Sequence, residues 1–239
     1  TPEAFRALRD SIPTTSQRIE QVRPRFEQLF SFLDSKGYSR GELFLAWSFH
    51  VASRDWVLGP ALTMREAALK YAENDQFSYT VDQVTDDPRP EVARLVEGTF
   101  QVPTFIGDDH TIDYDDEHEP KRQSEEKSYE FTMVIPKMAD NGQPLPLTVF
   151  GHGLFGSGRD YLAGGLADTL QPLAQKFGTV MIATDWVGLS QGDLDLIRQE
   201  LVSDLNRIGV VTDRLVQSLV NNLVMTKLAL GPLQEDPQV

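Results

Sequence analysis

The chain has 239 residues, with 36 Asp and Glu against 22 Lys and Arg, so its formal net charge at pH 7 is −14. This charge disfavours binding to nucleic acid or to an anionic membrane surface, because it would repel phosphates instead of neutralising them. Cys is absent, which excludes disulfides, thiolate catalysis and Cys-based zinc sites. No apolar run reaches the roughly 18 residues that a membrane span requires.

The N-terminal third predicts helices and one strand. Ser16 is placed to cap a helix whose apolar residues recur at three- and four-residue steps until Gly37 ends it. Residues 42–53 alternate along two largely apolar faces, which predicts a strand buried on both sides. Residues 63–72 predict a short helix.

The middle of the chain predicts antiparallel strands around a polar loop. Two strands are expected at 77–84 and 92–102, and an alternating strand follows at 129–135. Between them, residues 107–127 are acidic and polar, which indicates a surface loop. Residues 139–142, Ala-Asp-Asn-Gly, predict a turn.

After that turn the pattern becomes strand–helix–strand–helix. The predicted elements are a strand at 146–150, a helix at 159–177, a strand at 180–184 and a helical region at 193–230, which is interrupted near Gly209. Such alternation is typical of a parallel sheet with helical crossovers. The fold class is therefore predicted as α/β, preceded by an α+β accessory region.

The strand at 146–150 runs into the glycine-rich turn Gly151-His152-Gly153-Leu154-Phe155-Gly156. A strand that ends in such a turn and then opens a helix exposes backbone N–H groups at its tip. Donors of this kind can hold the oxyanion that develops during acyl transfer.

The His152-Gly153-Leu154 turn resembles the oxyanion turn of the α/β-hydrolase fold, in the bacterial lipase and esterase branch. An antiparallel strand precedes the turn, and the segment 185–190 is similar to the Asp-x-x-Gly-x-Ser loop after the fourth strand of many such hydrolases. The resemblance implies that the backbone N–H of Leu154 is an oxyanion donor. It also implies that His152 fixes the turn and is not a general base.

The N-terminal segment 42–53 is similar to a strand of the N-terminal domain of bacterial virulence-factor-type lipases. These resemblances imply an accessory region at 1–90 and the first half of an α/β-hydrolase domain at 91–239. We expect the chain to stop before the nucleophile elbow, so that the nucleophile and base lie outside it.

Ser190 lies in a complete G-x-S-x-G sequence, Gly188 to Gly192, the signature of a nucleophile elbow. In the α/β-hydrolase fold the triad runs Ser, acid, His along the chain. Every histidine of this chain precedes Ser190, the last being His152. Ser190 is therefore the less favoured candidate for the nucleophile.

Two alternatives concern ligands. Gly151, Gly153 and Gly156 also form G-x-G-x-x-G, but the following acid, Asp185, lies further along than the roughly 20 residues expected of a dinucleotide fold. The acidic run 108–119 could bind a hard cation, although it lacks EF-hand spacing. We expect a solvated loop there, and no metal or cofactor.

The predicted function is hydrolysis of a small-molecule carboxylic ester or lipid through an acyl-serine intermediate, by an enzyme that is incomplete in this chain. The alternatives are a nicotinamide-dependent oxidoreductase and a non-catalytic binding module. The sequence leaves the oligomeric state open. It does not identify the compartment, and an extracytoplasmic or secreted bacterial location is the expectation.

Overall fold

The computed structural model describes residues 1–73 and 77–239, which form two compact units, Thr1–Ser53 and Arg54–Val239. The boundary between them differs from the predicted one near residue 90. Residue 90 lies in the tight turn between two strands that pair from Arg89↔Val92 to Tyr79↔Phe100. A boundary there would separate hydrogen-bonded neighbours of one sheet.

The first unit is helical. It contains α1 (Glu3–Arg9) and α2 (Gln17–Ser35), which begins and ends close to the predicted bounds. Phe5, Leu8 and Phe30 form its small core, and the rings of Phe5 and Phe30 meet edge to face with their centroids 5.9 Å apart. Ser16 occupies the N-cap position of α2 but makes no side-chain capping bond.

The predicted strand at 42–53 is wrong. A 3₁₀ turn at Arg40–Glu42 is followed by irregular backbone up to residue 53. The first unit contains no strand among its described residues, so a ladder partner is missing and the backbone has no sheet to join. The aromatic side chains of this segment are exposed instead, with Phe49 at 73%.

The second unit alternates helices and strands, with a 3₁₀ turn at Lys137–Asn141 where a turn was expected. In chain order its main elements are α3 (Arg54–Glu73), β1 (Tyr79–Arg89), β2 (Val92–Pro103), β3 (Glu126–Pro136), β4 (Leu147–Val149), α4 (Gly158–Leu162), α5 (Ala167–Phe177), β5 (Val180–Thr184), α6 (Leu194–Ser203) and α7 (Gly209–Ala229). None of the helices within the described ranges is both long and apolar enough to cross a membrane.

The strands form one mixed sheet in the order β1-β2-β3-β5-β4, which confirms an α/β fold. β1, β2 and β3 are antiparallel neighbours, and β3 is also antiparallel to β5. β4 and β5 are parallel, with Leu147 opposite Val180. The predicted parallel pair within one sheet is therefore confirmed. β5 lies between the antiparallel part of the sheet and β4.

Helices cover both faces of this sheet because its side chains alternate. Phe131 and Met133 of β3 and Ile182 of β5 join the larger core, which α3 and α7 complete. Val134 of β3 faces the other way, into a second cluster that α4 and α5 cover. Because successive side chains of a strand point to opposite faces of the sheet, each central strand contributes side chains to both apolar layers.

Two predicted helices are corrected. The helix at 159–177 is two helices, because the chain leaves the helical path at 163–166, where Gly164 and Gly165 lower helix propensity. α3 begins at Arg54 and not at Thr63, and it accommodates Pro60 near its first turns. The helical region after residue 193 is interrupted near Gly209 as predicted: α6 ends at Ser203, the backbone of Asp204 is extended, and α7 begins at Gly209 after a 3₁₀ turn.

Replacing Gly98 of β2 by Ala should destabilise the protein. A Cβ there would collide with the carbonyl oxygen of Thr80 and lie 2.8 Å from the ring of Phe131, so backbone must move. We expect a loss of roughly 1–3 kcal/mol in the free energy of unfolding, measured with urea. Gly165→Ala is the control, because its Cβ meets open space. Equal midpoints for the two variants would contradict this account of the sheet.

Candidate functional site

The candidate site lies where β4 and β5 end. The glycine turn, residues 151–157, follows β4, and the β5 loop, residues 185–193, follows β5. Because the two strands are parallel neighbours, their carboxyl ends meet at the same edge of the sheet. In α/β sheets this edge is where ligands bind.

Backbone hydrogen bonds join the glycine turn to the β5 loop. The N–H of Phe155 donates to the carbonyl of Leu189 at 2.8 Å, and the N–H of Gln191 donates to the carbonyl of Gly156 at 2.9 Å. Phe155 has a φ of +55°, in the left-handed region that side chains rarely adopt. These bonds stabilise a backbone conformation of the turn that is unfavourable on its own.

Side chains add two further links. Asp185, at the end of β5, accepts the N–H of Gly158 on Oδ1 at 2.8 Å and so binds the first residue of α4. His152 accepts the backbone N–H of Trp186 on Nε2 at 2.8 Å. Since Nε2 is an acceptor, the ring proton of a neutral His152 resides on Nδ1, which lies 2.8 Å from the carbonyl of Gly153 and donates to it. Both ring nitrogens of His152 are therefore engaged in positioning.

In the described part of the chain, some N–H groups of the turn lack a protein acceptor, although that of Gly156 donates to the carbonyl of Gly153 at 2.9 Å. Among the described residues, the backbone N–H groups of His152, Gly153 and Leu154 donate no hydrogen bond. Gly153 and Leu154 are exposed, Leu154 at 69%, and His152 is half-buried. The turn thus combines a fixed conformation with donors that remain available to a ligand.

Ser190 lies in the β5 loop, but its environment is not that of an activated nucleophile. The residue is 3% exposed, and its Oγ donates to Oδ2 of Asp193 at 2.6 Å. The same oxygen accepts the N–H of Ser190 at 2.8 Å and that of Gly188 at 2.7 Å. No hydrogen bond in the described part of the chain links a serine hydroxyl to a histidine.

Asp193 and Arg214 are the residues that sequence analysis missed. Asp193 is 1% exposed, and its second oxygen pairs with the guanidinium of Arg214 on α7. Ser218, one helical turn later, donates to the carbonyl of Val187 at 3.0 Å. The Ser190-x-x-Asp193 spacing is that of a capping box, and it was the available signal for Asp193. Nothing in the sequence indicated Arg214 as its partner.

The start of β3 contributes polar groups near Arg214. Burial lowers the pKa of Lys127, and the neighbouring positive charge of Arg214 lowers it further. Burial raises the pKa of Tyr129, against the opposing influence of Asn221 and Arg214. The Nδ2 of Asn221 and the Nε of Arg214 are buried and make no hydrogen bond with the described residues. Bound water commonly satisfies such groups.

The contacts of Gly158 bear on the dinucleotide alternative. A pyrophosphate would need free N–H groups at the start of a helix. Here the carboxylate of Asp185 already occupies the N–H of Gly158, and the Oγ of Ser157 accepts the N–H of Asp160 at 3.0 Å. α4 is only five residues long, which leaves little helix dipole for an anion.

Two carboxylates of the acidic run 108–119 bind the backbone of the run itself. Asp109 accepts the N–H of Thr111 at 3.0 Å, and Asp115 accepts the N–H groups of Glu117 and Glu119 at 3.0 and 2.8 Å. No group of three or more His, Asp or Glu side chains within 1–73 and 77–239 is arranged to hold a metal ion.

Comparisons with models of protein families, with curated proteins and with solved structures found no match to this chain. The family of this chain therefore stays a prediction from its sequence.

Removing Arg214 should destabilise the second unit. Arg214→Met would leave Asp193 buried and charged, and breaking one side of a buried pair typically costs about 3–5 kcal/mol. The matched control is Arg198→Met, whose pair with Asp195 is exposed and 3.6 Å long, so its cost should stay within about 0.5 kcal/mol. Urea unfolding measures both. A stable Arg214→Met variant would show that the ion pair does not hold the β5 loop.

Proposed function

We propose that this chain is part of a serine ester hydrolase of α/β-hydrolase type, with residues 152–154 as its oxyanion-binding turn. One observation carries the proposal. N–H groups without a hydrogen-bond partner among the described residues lie in a turn that backbone hydrogen bonds hold at the carboxyl end of a parallel strand. The antiparallel β3 that precedes this strand, and the Asp-x-x-Gly-x-Ser segment after β5, agree with the resemblance.

The proposed chemistry is electrostatic. Attack on an ester carbonyl by a serine hydroxyl forms a tetrahedral intermediate whose oxygen carries a negative charge. The N–H of Leu154 would donate to that oxygen. Because the links through Phe155 and His152 fix the turn in advance, the donor does not need to reorganise during the reaction. Loss of one such donor typically lowers kcat by about 100- to 1,000-fold.

The nucleophile is not Ser190 in this proposal. The hydroxyl of Ser190 donates to a carboxylate that already accepts two backbone N–H groups, and no imidazole is bonded to it. We instead assign the nucleophilic serine and its histidine base to positions outside the described residues. The substrate class is a carboxylic ester, with lipids included, and the mechanism requires neither a metal nor a cofactor.

A fluorophosphonate probe should not label Ser190. The probe reacts with hydroxyls that a base activates, and Ser190 is buried and hydrogen-bonded to Asp193. Mass spectrometry of the treated, folded chain should find the tryptic peptide that contains Ser190 unmodified. Stoichiometric labelling that Ser190→Ala abolishes would make Ser190 the nucleophile and overturn this part of the proposal.

A tetrahedral anion should bind the glycine turn. We expect n-butylphosphonate, an analogue of the tetrahedral intermediate, to shift the amide NMR signals of Gly153 and Leu154 in a saturable titration. Gly153→Val should weaken this binding by about tenfold or more, because its side chain would meet the hydroxyl of Tyr161, 2.7 Å from the new Cβ, and cover the donors.

Gly165→Val is the matched control for this titration, since a Cβ at Gly165 has no neighbour within 4 Å. Its affinity for n-butylphosphonate should equal that of the unmodified chain. If the amides of Gly153 and Leu154 do not move when the phosphonate is added, the oxyanion assignment is wrong.

A further inference from the structure

The side chain of Tyr161 lies beside the glycine turn and has no role in the function proposed above. Tyr161 is on α4, the short helix that the turn leads into. Its ring packs against Phe150, with centroids 5.5 Å apart. A Cβ built on Gly156 would lie 2.9 Å from its Cε2, so the ring also lies directly against the turn backbone. Contacts on these two sides fix the position of the ring.

The hydroxyl of Tyr161 lies next to Gly153. A Cβ on Gly153 would lie only 2.7 Å from the Tyr161 Oη, so the hydroxyl occupies the space that a side chain at position 153 would need. Among the described residues this hydroxyl makes no hydrogen bond, yet it is not enclosed by protein atoms. Phenol hydroxyls that lie against protein usually find a partner. Among the described residues no protein group is that partner, so the hydroxyl is available to water or to a ligand bound at the turn.

We propose that the Tyr161 hydroxyl is a second hydrogen-bond donor to the oxygen bound by residues 152–154. This inference rests on the proposed function and adds a catalytic residue to it. The phenol would donate its proton in a hydrogen bond to the ester carbonyl oxygen, and more strongly to the oxyanion of the tetrahedral intermediate. No covalent bond to Tyr161 forms or breaks, and the proton stays on the phenol.

The proposal accounts for two features of the sequence together. Gly153 leaves room for the hydroxyl, because any larger residue would displace it. The packing of the ring on Phe150 and Gly156 orders the hydroxyl before substrate arrives, so little side-chain entropy is lost on binding. A tyrosine that served only as packing would need its ring but not its oxygen.

Tyr161→Phe separates these two roles, because it removes the oxygen and keeps the ring. The ligand is n-butylphosphonate, and binding is followed through the amides of Gly153 and Leu154 and through ¹³Cζ-labelled tyrosine. We expect Tyr161→Phe to bind about tenfold more weakly, with the amide signals of the ligand-free turn unchanged. Tyr38→Phe is the control, since Tyr38 is 61% exposed and lies in the first unit.

The outcomes distinguish the inference from the proposed function. If the phosphonate shifts the turn amides equally well in Tyr161→Phe, the tyrosine is packing only and the oxyanion turn stands without it. If the ¹³Cζ signal of Tyr161 responds while the amides of Gly153 and Leu154 do not, the tyrosine binds the anion but the backbone does not. The backbone assignment is then wrong, and so is the inference that Tyr161 is a second donor to the oxygen bound there. If neither responds, both are overturned.

Discussion

The architecture of the candidate site depends on one buried carboxylate. Asp193 gathers the N–H groups of Gly188 and Ser190 and the guanidinium of Arg214, and so ties the β5 loop to α7. The β5 loop in turn holds the glycine turn through backbone hydrogen bonds. A buried charge is tolerated only when it is paired and hydrogen-bonded, as this one is. The position of the N–H donors at residues 152–154 therefore depends on Asp193, which is buried.

The sheet supports the two segments of the candidate site, the glycine turn and the β5 loop, unequally. β5 is bonded on one side to β3 and on the other to β4, so the strand that leads into the β5 loop has two neighbours. Among the described residues, the strand that leads into the glycine turn has one. A strand of three residues has few ladder bonds of its own. The links from the β5 loop supply the restraint that β4 lacks.

The sequence predicted the parts of this fold that local pattern controls. Three features could be predicted from sequence because each reflects a period or a backbone requirement: the alternation of β3, the apolar run of β5 and the glycines after β4. The segment 42–53 has the same alternation, but it forms no strand, since pairing depends on a partner that the pattern does not contain. The Asp193–Arg214 pair was not foreseen for a related reason. The two residues belong to different elements, and only the packing of α7 brings them together.

The imidazole of His152 supplies one of the links that hold the glycine turn to the β5 loop. Its Nε2 can accept the N–H of Trp186 only while that nitrogen keeps its lone pair. A doubly protonated ring would present two donors, one of them aimed at another donor, and the contact would become repulsive. The strand tip and its neighbouring loop would then lose a link on the side where the free N–H groups lie. The link between the glycine turn and the β5 loop through His152 is thus compatible only with a ring whose Nε2 carries no proton.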